Sequence, residues 1–193
     1  YKRYIAELLS AKIIPFWSHA EGTGFSLIFN PFSQFFYIPG WINYIIYFIK
    51  NNLTFHDYVI YTISAFSIYS LGIFFWLRSL KIDFWIAFTV SIVTICSLKI
   101  TETLRFPNAA HSAAWMPWVL YGINLINKNF TLKNFFLIFV FNFFLLTAGY
   151  PYFIVYSLFL FIPYIIVFIP IVSEKNIFSR YNLLQYIKIS LPF

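Results

Sequence analysis

The chain has 193 residues, 61% of them hydrophobic and 25% aromatic, with only 10% charged and a mean hydropathy of +0.78. Soluble domains carry about 25% charged residues, so this composition excludes one and implies an integral membrane protein. The net charge of +7 comes from 13 Lys and Arg scattered between apolar runs, which argues against a nucleic-acid face and fits lipid headgroups and membrane topology.

Tyr1 to Lys12 opens the chain with Tyr1, Tyr4, Ile5, Leu8 and Leu9 on one helical face and Lys2, Arg3 and Glu7 elsewhere, the spacing of an amphipathic helix in the membrane interface. Irregular backbone follows, from Pro15-Phe16-Trp17-Ser18-His19-Ala20-Glu21-Gly22-Thr23-Gly24 through Asn30-Pro31 to Pro39-Gly40-Trp41. Lipid cannot satisfy free peptide groups, so such a stretch lies outside the hydrocarbon or lines a cavity, and loops of this kind carry function. Trp41 to Ile49 is apolar but nine residues long, too short to cross, which predicts a second interfacial or re-entrant helix. Phe32 to Ile49 is free of charge and also admits a Pro39-kinked span, which would invert everything after it.

A crossing helix needs about 20 apolar residues, and charge-free intervals mark where one fits. Tyr58 to Leu77 is one such interval and ends on Trp76, suited to an interface belt. Phe84 to Leu98 is short, extended by Ile82, Ile100 and snorkelling Lys81 and Lys99. Within Phe106 to Asn127 the crossing part is Ala113 to Ile126, with Pro117 in its first turn. Asn134 to Ser173 is charge-free over 40 residues and is divided by Gly149-Tyr150-Pro151 into spans at about Asn134 to Ala148 and Tyr152 to Pro170. Leu183 onward opens a sixth. Cys96 lies in an apolar run as a small packing residue, so no disulfide framework is available.

The expected fold is thus all-α, a polytopic membrane helix bundle with interfacial helices in its first outer loop. Residues 1–193 form a single transmembrane domain, with 1–57 as outer loop and 58–193 as about five spans plus the start of a sixth. A start at Tyr1 and a stop within an apolar stretch read as a fragment. On this topology one side carries six Lys and Arg and the other seven, the seven concentrated in short loops, which places those loops in the cytoplasm and residues 1–57 outside.

The outer side then collects His19, Glu21, Asn30, Gln34, Glu102, Arg105, Asn108, His111 and Tyr150 from three loops. His19 and Glu21 are two residues apart, a pairing suited to general acid–base work or to a divalent ion, or equally to a solvated pair. Glu102 and Arg105 share a helical face if that segment is helical. Arg105 and His111 can instead hold a phosphate, for which Arg offers a planar bidentate donor. Trp115 and Trp118 flank Pro117 as belt anchors or sugar-stacking rings. No P-loop, G-x-G-x-x-G, H-E-x-x-H or G-x-S-x-G is present, which argues against nucleotide-dependent and common hydrolase chemistry.

The order Glu7-Leu8-Leu9, Ile14-Pro15-Phe16-Trp17, Gly22-Thr23-Gly24 and Asn30-Pro31 through Phe36-Tyr37-Ile38-Pro39 resembles the first outer loop of bacterial YfhO-type membrane proteins. There a G-x-x-P-x-W pattern precedes a Gly-containing turn and an aromatic-Tyr-x-Pro. Trp115-Met116-Pro117-Trp118 resembles that family's W-x-P, and Ala148-Gly149-Tyr150-Pro151 its later turn, so the likeness covers about residues 4 to 160. The chain departs from the pattern at Ala11-Lys12, where the family tends to have Gly, and at Tyr150, where it often has His.

The resemblance implies a GT-C type glycosyltransferase of the bacterial inner membrane. Such an enzyme passes a sugar from a polyprenyl-phosphate donor to a cell-envelope acceptor at the outer leaflet. The family's catalytic acid, an Asp after the first span, would fall before Tyr1. Within this chain the candidate catalytic residues are Glu21 and His19. The candidate substrate-binding residues are Arg105, His111, Trp17, Asn30, Trp115 and Tyr150. No cofactor is evident, and a divalent metal is left open. The competing class is a transporter or flippase of a lipid-linked substrate, which would place charges at the bilayer midplane; the spans contain none. A noncatalytic scaffold subunit is the third.

Overall fold

The computed structural model describes residues 2–18, 24–97 and 105–168. Within them the chain forms α1 (Lys2–Ser10), α2 (Ile42–Lys50), α3 (Phe55–Ser79), α4 (Phe84–Ile95), α5 (Pro107–Lys128), α6 (Leu132–Thr147) and α7 (Pro151–Pro163), the last running into a π-helical turn at Tyr164–Phe168. Among the described residues the strands are a two-residue antiparallel pair, β1 (Trp17–Ser18) and β2 (Phe25–Ser26), in register Trp17 to Ser26. The class is all-α.

Local chemistry sets the helix ends. Thr54 and Asp57 form a reciprocal capping box at the start of α3, which satisfies two backbone donors that the first turn leaves open. Asp83 accepts from the Trp85 amide before α4, and Thr131 from the Asn134 amide before α6. Between α6 and α7, Gly149 adopts φ +95° and Pro151 takes the first helical position, the Gly-then-Pro turn that the sequence predicts. The kinked-span alternative for 32–49 does not hold. Gln34 takes a left-handed φ of 56°, short 3₁₀ turns occupy Pro31–Ser33 and Ile38–Trp41, and α2 is nine residues long.

Pro117 lies inside α5, not in the first turn of a span, because the helix starts at Pro107. The ring removes the bond to the Ala113 carbonyl, yet packing holds the helix through it. A Cβ on Gly72 of α3 would meet the Trp118 ring at 2.8 Å and Pro117 Cβ at 3.1 Å, and one on Gly122 would meet Ile138 of α6 at 3.0 Å. Ala65, Ala110 and Ala114 form a second close seam between α3 and α5. Small residues that bring backbones together are the usual glue of helices in lipid. The main core gathers Trp115, Val119, Leu120 and Ile123 of α5 with Ile138, Phe141 and Leu145 of α6 and Phe161 and Tyr164 beyond.

Among the described residues, Phe55–Ser79, at 25 residues, is long and apolar enough by length and composition to cross a bilayer. α4, α6 and α7 match the other predicted apolar intervals but are shorter. α5 has 22 residues, but Asn108, His111, Ser112, Asn124 and Asn127 dilute its apolar character. α4 leaves Phe84, Trp85, Ile86, Phe88 and Val93 exposed.

α1 is helical as its periodicity predicts, but its inward face is rotated. Ile5 and Ala6 are buried against Leu27, Tyr44 and Tyr47, while Tyr4 is exposed. The docking partner is α2 and the loop, which select the inward face in place of a flat lipid plane.

Candidate anion-binding site

Residues 31–41, the start of α5 and the α6–α7 turn meet at one end of the bundle, where a buried polar network joins them. The Trp115 indole N–H donates to the Tyr37 hydroxyl at 2.8 Å, and that hydroxyl lies 2.9 Å from His111 Nδ1. Because the Tyr37 oxygen accepts from Trp115, its hydrogen is directed to Nδ1, and the His111 proton resides on Nε2, which donates to the Tyr61 carbonyl at 3.0 Å. His111 is a neutral imidazole with both nitrogens engaged. Its ring stacks on Tyr61 at 4.1 Å. The Tyr61 hydroxyl donates to Gln34 Oε1 at 2.8 Å, and Gln34 Nε2 donates to the Ala148 carbonyl. Burial pushes the Tyr37 hydroxyl far above the usual phenol range, so it remains a donor at any physiological pH.

Beside this network opens a cavity of about 570 Å³. Lys2 and Arg3 enter it from α1, Asn43 from α2, Thr54 and Tyr58 from the start of α3, Arg105 and Asn108 from the start of α5, and Tyr150 from the turn. Phe32, Leu53, Phe55 and Phe106 supply its apolar walls. Among the described residues, three basic side chains and no carboxylate line it. Arg3 pairs with Glu7 at 2.9 Å in an exposed i,i+4 bridge, a contact worth only about 0.3–0.5 kcal/mol. No carboxylate pairs with Arg105 among the described residues. Asn108 Nδ2 donates to the Phe32 carbonyl at 2.9 Å, and the Phe32 ring meets Tyr150 edge-on at 6.2 Å. These contacts bind three distant segments into one wall. At the rim, Asp57 accepts from Lys50 at 2.7 Å and from Thr54. The Lys50 ammonium and then the Thr54 donors hold its carboxyl down to about 2.

The expected site residues separate into groups. Arg105 and Tyr150 line the cavity. His111 does not serve a phosphate: it is fully buried and saturated by Tyr37 and Tyr61. Trp115 is buried too, its ring 4.5 Å from that of Phe144 and its N–H spent on Tyr37, so its faces are not open to a sugar. Trp118 donates to the Ile68 carbonyl and packs between α3 and α6. Both rings serve the core because α5 is central, not peripheral. Asn30 caps the Pro31–Ser33 turn by accepting from the Phe32 amide and lines a smaller recess of about 250 Å³ with Gln34 and Phe36. Trp17 is half exposed on β1, packs over Gly24 and does not reach the cavity. His19, Glu21 and Glu102 lie outside the described residues.

Lys2, Arg3, Tyr37 and Tyr61 are the residues that sequence reasoning passed over. Lys2 and Arg3 read as the polar side of the first helix, Tyr37 as one residue of a motif, and Tyr61 as one residue of a charge-free interval. The Phe36-Tyr37-Ile38-Pro39 motif was the signal available for Tyr37.

No group of three or more His, Cys, Asp or Glu side chains gathers to hold a metal among the described residues, and Cys96 is a free, exposed thiol. No family model, curated protein or solved structure matches this chain.

Proposed function

We propose that the chain belongs to a multi-pass membrane glycosyltransferase of GT-C-like architecture. It would hold a polyprenyl-phosphate-linked sugar at the outer face of a bacterial inner membrane and pass the sugar to a cell-envelope acceptor. The observation that carries this reading is the cavity with three basic side chains, apolar walls and, among the described residues, no carboxylate. A polyprenyl phosphate has the matching chemistry, an anionic head on a hydrocarbon tail. Arg105 provides a bidentate fork for the phosphate, and Phe32, Leu53, Phe55 and Phe106 offer apolar surface to the first isoprene units.

Such a site works by orientation. Fixing the phosphate fixes the anomeric carbon beside it, and neutralising the phosphate's negative charge favours its departure as leaving group. The acceptor hydroxyl needs a base, a role this reading gives to Glu21, with His19 beside it. The test is the sugar content of the envelope glycan in a strain lacking the protein and in one carrying Arg105→Ala. Loss of one sugar in the first and a matching reduction in the second are expected; unchanged glycan in both sinks the proposal.

A further inference from the structure

One basic side chain of the cavity is unlike the other two. Arg3 and Arg105 are exposed, whereas Lys2 turns its amine away from solvent. Lys2 Nζ lies 3.4 Å from the centroid of the Tyr61 ring and has no hydrogen-bond partner. A lysine amine has up to three donors to place, and a ring face offers attraction without accepting them as oxygen does. The position is a weak resting place for a long, flexible side chain.

The groups around that amine do not anchor it. Arg3 follows it on α1, Tyr58 and Tyr61 face it from α3, and His111, stacked on Tyr61, stands on α5. Arg105 lines the same cavity, and Asp57, next in the chain to the lining residue Tyr58, is engaged by Lys50 and Thr54. Burial with no opposite charge beside it among the described residues holds the amine well below the ordinary lysine range, which favours its uncharged form next to two arginines.

We propose that Lys2 is a retractable ligand for phosphate oxygens: its amine rests on the Tyr61 ring and is drawn out as an ammonium ion by an oxyanion held between Arg3 and Arg105. The proton comes from solvent, so phosphate binding takes up a proton. This rests on the phosphate-donor reading above and adds a selection rule to it. A neutral headgroup gives the amine no reason to leave the ring, and a charged one does.

The full-length protein in nanodiscs, titrated calorimetrically with dodecyl phosphate at pH 8.5 in two buffers of different ionisation enthalpy, tests it. At that pH a phosphate monoester has lost its second proton, whose pKa is about 6, so uptake reports the protein. Wild type should bind with heats that differ between buffers by proton uptake, and dodecanol should not bind. Lys2→Met should bind about tenfold more weakly with heats independent of buffer. Lys2→Arg, permanently charged, should keep the affinity within a few-fold and lose the uptake, which separates this role from a folding defect. Arg105→Ala should weaken binding and keep the uptake. Wild-type affinity and uptake in Lys2→Met overturn the Lys2 assignment and leave the phosphate site standing. Failure of wild type to bind dodecyl phosphate overturns both. Phosphate binding with Lys2-dependent uptake but unchanged envelope glycan supports the Lys2 role and overturns the glycosyltransferase reading alone.

Discussion

The hydroxyl of Tyr37 lies 2.9 Å from Nδ1 of His111, and it also accepts the Trp115 indole N–H at 2.8 Å. One oxygen atom thus fixes a tautomer, orients a tryptophan and ties the irregular segment after β2 to the central helix. Tyr37→Phe keeps the ring but leaves a buried donor and a buried acceptor without partners. Such losses cost about 1–3 kcal/mol. A drop in the detergent-solubilised protein's melting temperature is expected. Lys2 and Arg105 are not part of that network, so phosphate binding just below the melting onset should persist.

Gly149 places the α6–α7 turn against the Pro31 carbonyl. A Cβ there would stand 2.5 Å from that oxygen and would occupy a φ of +95°. Gly149→Ala should therefore destabilise by more than the roughly 1–2 kcal/mol of a left-handed non-glycine residue, since backbone must also move. Proteolysis of the intact protein should quicken at the turn, whereas Gly24→Ala should affect the β1–β2 end alone.

Asp57 makes part of the stability depend on pH. Its folded carboxyl, held down to about 2 by Lys50 and Thr54, lies below the unfolded value of about 3.9. The depressed folded value means that its contribution is fully present above pH 4 and is lost as pH falls toward 2. Asp57→Asn should melt below wild type at neutral pH, and the two curves should converge as acid is added. A gap that stays constant from pH 6 to pH 2 would show that the carboxylate is not the cause.

At the opposite end of the bundle, Asn124 accepts from the Tyr164 hydroxyl at 2.7 Å and donates to Ser79 Oγ at 2.8 Å, and Trp76 donates to the same Tyr164 oxygen at 2.9 Å. Lys128 closes the end on the Ser79 carbonyl. Asn124→Ala removes the hub and should lower stability by about 1–3 kcal/mol. Phosphate binding at the far cavity should be unchanged, because no residue of this cluster lines it.

Much of the helical framework is legible because it depends on near neighbours. Charge-free intervals, the Thr54–Asp57 box, and Gly149 before Pro151 are local signals, and α3, α6 and α7 sit where those signals point. Pro117 misled because its local reading, a helix start, was overridden by packing between α3 and α6. His111 and Trp115 misled for a related reason: a polar side chain at a presumed interface looks available until its buried partners are known.

By itself, the amino-acid sequence determined an apolar helical chain of charge-free intervals and a Gly/Pro-rich segment lying apart from them, since composition and periodicity act over a few residues. Only the tertiary structure decided which polar groups are spent and which are free. Tyr37 meets His111 across 74 positions and Gln34 meets Ala148 across 114. Partnerships of that range depend on how helices pack, and the same packing leaves Lys2, Arg3 and Arg105 around one cavity with no acid among its described walls.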